Sequence, residues 1–174
     1  MQIPGKKIVL RSAIPSDADA LFKWENDRSN WGVSGTKKPF TKKEIKAFIE
    51  NQKDIYLDKQ LRLMISTLAR PLSTSLPDAK RGSGENRSVG CIDLFDFDEK
   101  KAGVGILIER KYRSKGYAAE ALSLLIKYSF KTLNLHELFC SISEKNAPSL
   151  KLFQKLGFKI TGKKNDVLLL SIFE

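Results

Sequence analysis

The chain has 174 residues, 31 Lys and Arg against 20 Asp and Glu, and a formal net charge of +11. That length suits one domain with a single core, and 41% hydrophobic content excludes a disordered or low-complexity chain. No apolar run approaches the roughly 18 residues of a membrane span, no signal-peptide pattern opens the chain, and two cysteines with one histidine cannot build a four-ligand zinc site. These counts predict a soluble, cytoplasmic, basic protein, a single domain over residues 1–174, with no metal and no membrane contact.

The charge is uneven: +6 over residues 1–70, −3 over 71–99 and +8 over 100–174. A basic excess draws anions, whether nucleic acid, acidic lipid or a phosphorylated small molecule.

In chain order, residues 7–11 read as an opening strand. A helix follows with Ser16 as its N-cap and Asp19 three residues on, burying Ala20, Leu21 and Trp24. Residues 26–35 are polar and turn-rich. Thr41 and Glu44 form a capping box for a second helix with Ile45, Phe48 and Ile49 on its buried stripe. Residues 61–67 are a strand. The Pro-, Gly- and Ser-rich stretch 71–87 reads as a long mobile loop. Strands at 88–97 and 102–109 lead to a helix from Tyr117 to Leu133, a strand from Glu137 to Ser143, and a helix from Pro148 to Leu156 ended by Gly157. Two closing strands cover 158–161 and 167–173. This order predicts an α/β (α+β) fold: a mainly antiparallel sheet of about seven strands flanked by four helices. Cys91 and Cys140 fall in apolar strands and read as buried thiols, and His136 as a packing or capping residue.

Chemistry concentrates at residues 104–118, where a strand runs into a basic turn and the turn into a long helix. Backbone N–H groups at a helix start have no intrahelical acceptor and carry partial positive charge, so a phosphate or pyrophosphate can take those hydrogen bonds. Gly116 lets the backbone approach such a ligand, Ala118 leaves the helix start unobstructed, and Lys111, Arg113 and Lys115 add charge. The spacing is neither a Walker A loop nor a dinucleotide fingerprint.

Two blocks, Arg113-x-x-Gly116-x-Ala118 and Asn146 through Leu156-Gly157-Phe158, occur in this order after two strands. With them the chain resembles the GNAT superfamily of acetyl-CoA-dependent N-acetyltransferases over nearly its whole length. Trp24 to Asp27, Gly90 to Leu94 and Leu133 to His136 look most like bacterial polyamine acetyltransferases, with enzymes that acetylate ribosomal-protein N-termini close behind. The resemblance implies acetyl-CoA as co-substrate. Its pantetheine would lie against the main chain of Ile106, Leu107 and Ile108, in a gap between the strands at 104–109 and 137–143. Its pyrophosphate would lie at Arg113, Ser114, Lys115, Gly116, Tyr117 and Ala118, with Asn146, Ser149 and Lys155 completing the site.

Catalytic candidates follow from the same resemblance. A carboxylate serving as base would be Asp93, Asp96 or Glu25, and Asp93 and Asp96 cannot both face the acceptor. Gly103 and Gly105 would mark either a bulge that opens the strand or tight packing. Polyamine acetyltransferases commonly carry a glutamate where Gly103 stands, and many members use a tyrosine as acid where this chain has Phe153. Ser149 matches the serine some ribosomal-protein acetyltransferases use instead. The acceptor would be a small-molecule amine or a protein N-terminus, met near the acidic stretch 93–99. Nucleic acid is not an expected partner, and a homodimer or larger homo-oligomer is allowed. The other readings are an acetyl-CoA-binding protein without catalysis and a basic ribosome- or RNA-associated module.

Overall fold

Eight strands form one sheet in the computed structural model, which describes residues 1–34, 38–52, 55–68 and 87–174. They are β1 (Gln2–Pro4), β2 (Ile8–Ser12), β3 (Leu61–Thr67), β4 (Ser88–Phe95), β5 (Lys101–Ile108), β6 (Glu137–Ser143), β7 (Lys159–Lys164) and β8 (Val167–Phe173). Their order across the sheet is β1-β2-β3-β4-β5-β6-β8-β7, and every pairing is antiparallel except β5–β6. The described helices are α1 (Ala18–Glu25), α2 (Arg28–Ser34), α3 (Lys42–Asn51), α4 (Ile55–Asp58), α5 (Tyr117–Lys131) and α6 (Ala147–Lys155).

Period-two alternation in the strands sorts side chains onto two covered faces. On one, Leu63, Ile65, Ile92, Leu94 and Val104 pack with Ala121, Leu122 and Leu125 of α5. On the other, Met64 and Cys91 pack with Leu21 and Trp24 of α1 and with Ile45 and Ile49 of α3. Each fully buried leucine on these faces contributes about 1.5–3 kcal/mol through removal of apolar surface from water. The second face matters for function, because α1 and α3 stop short of covering it and leave Arg62 and Asp93 beside an opening.

The antiparallel α/β architecture is as expected, with more elements than the sequence suggested. β1 is short, contains Pro4 and pairs only with β2, so it lacks the apolar run that marks a strand. α2 occupies part of the stretch that reads as turn, and α4 is a single turn. The Thr41–Glu44 capping box is present: the Glu44 N–H donates to Thr41 Oγ1 at 3.2 Å and the Thr41 N–H donates to Glu44 Oε2 at 2.6 Å. The start of α1 differs from expectation. Ser16 does not cap it; a 3-10 turn over Pro15–Asp17 leads into the helix, and the Ile14 N–H donates to Asp17 Oδ2 at 2.9 Å.

Asp17 is held because Arg11 grips both its oxygens, at 2.6 and 2.8 Å, and Ser88 donates to it at 3.0 Å. Burial pushes the Asp17 carboxyl up, but these bonds outweigh it and leave it below its ordinary value. The network ties β2, β4 and the entry to α1 together. At the far end of α6, Gly157 takes φ +99 and turns the chain so that Phe158 meets the Phe153 ring edge-on at 4.9 Å. The stretch 71–87 lies outside the described residues except for Arg87.

Candidate active site

β5 and β6 run side by side only at Lys101↔Glu137, Ala102↔Leu138 and Gly103↔Phe139, whereas β6 stays paired with β8 as far as Ser143↔Val167. Beyond Gly103 the two strands part, and the β5 main-chain groups that point away from β4 meet no strand. A cleft of about 580 Å³ occupies the gap. Gly105 to Ile108 form one wall, residues 112–114 and 116–119 its far end, and Asn146, Pro148, Ser149 and Leu152 the opposite wall. No bulge opens β5: its register with β4 is continuous from Gly103↔Phe95 to Ile108↔Gly90. Gly103 is instead a packing requirement, since a Cβ there would overlap the Phe95 ring.

At the far end of the cleft the chain turns through Ser114 (φ +61) and Gly116 (φ +83) into α5. The first intrahelical acceptor used is Gly116 O, by the Glu120 N–H at 3.1 Å, so the N–H groups of residues 117–119 remain for a ligand. Arg113 Nε donates to Ile108 O at 3.0 Å, which folds its guanidinium against the strand end. Lys111 and Lys115 hold their ammonium groups 5.0 and 5.4 Å from the Tyr112 ring. A fourth cation arrives from elsewhere: a Cβ on Gly116 would stand 3.7 Å from Lys7 Nζ. Lys7 sits there because Glu120 Oε1 accepts from the N–H groups of Lys6 and Lys7, at 2.6 and 2.8 Å, pinning the β1–β2 turn to α5. The sequence offers no local sign of Lys7, which reaches the turn only through the sheet. This donor set suits a pyrophosphate.

The near end of the cleft has a different construction. Arg62 on β3 donates through Nη1 to Glu25 Oε1 at 2.6 Å, and through Nε and Nη2 to the two Asp93 oxygens at 2.6 and 3.3 Å. The Phe48 ring lies 5.2 Å from its guanidinium. Side-chain exposure is 15% for Arg62, 9% for Glu25 and 15% for Asp93. Burial opposes the charged guanidinium, but Asp93 and Glu25 raise the Arg62 pKa above its ordinary value. Cys91 lines the same end, and burial pushes its thiol far up, so it stays protonated. Sequence reasoning missed Arg62; its sign was a lone charge in an apolar strand, at a position that proves to be directly across from Asp93.

Of the residues expected at the site, Glu25, Asp93, Ile106, Leu107, Ile108, Arg113, Ser114, Gly116, Tyr117, Ala118, Asn146 and Ser149 line the cleft. The Ser149 N–H donates to Asn146 Oδ1 at 3.3 Å, which caps α6 and points its first turn at the gap. Lys115 stands at the rim, outside the lining, with its ammonium on Tyr112. Other expectations need correction. Lys155 is exposed in the last turn of α6, at the end of the helix away from the cleft. Asp96 lies past the end of β4 with φ +47, is exposed and is not among the residues lining the cleft. The acidic stretch 93–99 is split: Asp93 reaches the cleft, while Asp98 and Glu99 lie with Lys101 at the start of β5, the other end of that strand. Phe153 is buried against Phe158, so the place of the usual tyrosine acid belongs here to the core. Cys140, by contrast, is buried as expected, its thiol pushed up to about 12 by desolvation, whereas His136 is exposed rather than packed.

Comparison with known proteins agrees with this geometry. Residues 7–159 match the Acetyltransferase (GNAT) domain family. The N-acetyltransferase 9-like protein of Caenorhabditis briggsae is 31% identical over 168 residues, covering 91% of this chain and 78% of that one. The uncharacterized N-acetyltransferase YnaD of Bacillus subtilis is 26% identical over 163 residues, covering 93% and 85%. A spermidine N-acetyltransferase from Vibrio cholerae, solved with CoA and spermine, has the same fold, with a TM-score of 0.79 over 97% of this chain and 96% of that chain at 18% identity. The chain belongs to the GNAT acetyltransferase family.

Proposed function

We propose that this protein transfers the acetyl group of acetyl-CoA to a primary amine, on a small molecule or a protein N-terminus, by direct attack. The observation that carries the reading is the parting of β5 from β6 beside the unpaired start of α5. Free strand N–H and C=O groups suit the amides of pantetheine, and the helix start suits the pyrophosphate, with Arg113, Lys111, Lys115 and Lys7 supplying charge. A β5 N–H aimed at the thioester oxygen stabilises the negative charge that grows there during attack. The amine nitrogen bonds to the carbonyl carbon, the carbon–sulfur bond breaks, and the amine proton leaves to water. The departing thiolate takes a proton, with Ser149 Oγ the hydroxyl placed on that wall. Thiolate of pKa about 8.5 is a fair leaving group, so Ser149 has a modest task.

The two carboxylates at the near end, Glu25 and Asp93, attract the incoming ammonium. A cytoplasmic setting, where acetyl-CoA and reduced thiols coexist, accords with two free cysteines and with the absence of any described helix long and apolar enough to cross a membrane. A homo-oligomer accords with exposed Ile160, Leu169 and Phe173 along the β7–β8 edge.

Titration calorimetry with acetyl-CoA, followed by assay of free thiol with a panel of amines, tests the reading. Micromolar binding with thiol release supports it. Binding without release from any amine overturns catalysis and leaves an acetyl-CoA-binding protein, a reading with which the burial of Phe153 accords. No binding overturns both.

A further inference from the structure

We infer that the acceptor is a singly charged, weakly basic amine, the free α-amino end of a peptide or protein, and not a polyamine. This rests on the acetyltransferase reading and adds the substrate class to it.

The first argument is charge. Among the described residues lining the near end of the cleft, the charged groups are Glu25, Asp93 and Arg62, all largely buried and all in contact. Their formal sum is −1. One ammonium neutralises it. A polyamine brings further ammonium groups, and the described lining holds no third carboxylate to pair them. In a site removed from water that mismatch is costly, since unit charges a few ångströms apart interact several times more strongly there than in bulk solvent.

Proton supply gives the second argument. The nucleophile is the neutral amine. At pH 7.5 an α-amino group, with pKa about 7.7–8.0, is about one-third neutral, whereas an alkylammonium of pKa about 10.4 is neutral about once in a thousand. An acceptor of the second kind needs a free base beside it. The described lining has no histidine, the Cys91 thiol stays protonated because burial raises it, and both carboxylates already accept from the same guanidinium. Because a net negative cluster also favours the ammonium form, a site so built suits only an amine that holds its proton weakly to begin with.

The two arguments come from different features, the net charge of a cluster and the engagement of its members, and select the same acceptor. Arg62 is then a specificity-determining residue. By cancelling one of two carboxylates, it sets the site for one positive charge.

The test compares three acceptors at pH 7.5 with saturating acetyl-CoA: a lysine-free peptide with a free N-terminus, the same peptide N-terminally blocked and carrying one lysine, and spermidine. The expected kcat/KM for the free N-terminus exceeds both others by at least 100-fold. Spermidine or the lysine peptide matching it overturns the inference and leaves the acetyltransferase reading standing. No release from any of the three, with coenzyme still bound, overturns the reading and this inference with it. Glu25→Gln, which keeps the hydrogen bond to Arg62 while bringing the cluster to neutrality, is expected to lower kcat/KM for the peptide at least tenfold with unchanged acetyl-CoA affinity. Arg62→Gln is expected to raise the spermidine-to-peptide ratio of kcat/KM at least tenfold. An unchanged value in Glu25→Gln contradicts the charge argument even where Arg62→Gln does not fold.

Discussion

The two ends of the cleft hold charge by different means. At the proposed coenzyme end, the donors are backbone N–H groups at the start of α5, and the cations around them are exposed side chains of the turn before that helix and of the β1–β2 turn. At the proposed acceptor end, the groups are largely buried side chains from α1, β3 and β4, fixed to one another at 2.6 Å. An end built of backbone can be rebuilt by any sequence that makes the turn. An end built of mutually paired side chains depends on every member, because removing one leaves the others buried and unpaired.

That contrast can be broken first at Gly116. Gly116→Asp places a side chain at φ +83, which residues other than glycine rarely adopt, and sets an anion against the coenzyme's phosphates. Acetyl-CoA affinity measured by calorimetry is expected to fall at least 100-fold, while the acceptor end keeps its structure. Retained affinity would misplace the phosphate site. Arg62→Met attacks the other end and strands two carboxylates. Its expected cost is about 3–5 kcal/mol in denaturant unfolding, against little for a charge removed from the coenzyme turn. A loss below about 1 kcal/mol would mean that the carboxylates do not depend on it.

Smaller effects sharpen the comparison. Ser149→Ala is expected to lower kcat about tenfold with acetyl-CoA affinity unchanged, and an unaltered kcat removes the hydroxyl from proton return. Lys7→Met is expected to weaken acetyl-CoA about fivefold, as loss of one exposed charge near a phosphate costs about 1 kcal/mol. The difference should shrink in high salt, because exposed charges are screened. Salt-independent weakening would instead indicate that the β1–β2 turn has moved.

How far each region is legible in the sequence follows from the same contrast. The β5–turn–α5 unit is written in consecutive residues, so a strand, a glycine and a helix start at fixed spacing announce it. The capping box of α3 and the Gly157 turn are local in the same way. Glu25, Arg62 and Asp93 lie on three elements, and only sheet register brings Arg62 opposite Asp93. Glu25 and Asp93 stand out in the sequence as separate candidates, but their common partner has no spacing rule that finds it. Lys155 misleads for the converse reason: it belongs to the recognisable second block, yet helical geometry carries it to the far end of α6. Phe153, where the resemblance would put a tyrosine acid, is turned by the same helix into the core.

The most direct test of the account is mass spectrometry of the products after acetyl-CoA is incubated with the protein, a lysine-free peptide with a free N-terminus, and spermidine in equal amounts. The account predicts one acetyl group on the peptide's α-amino nitrogen, with spermidine essentially unmodified. Acetylspermidine accumulating faster than acetylated peptide, or no acetylated product at all, would contradict it.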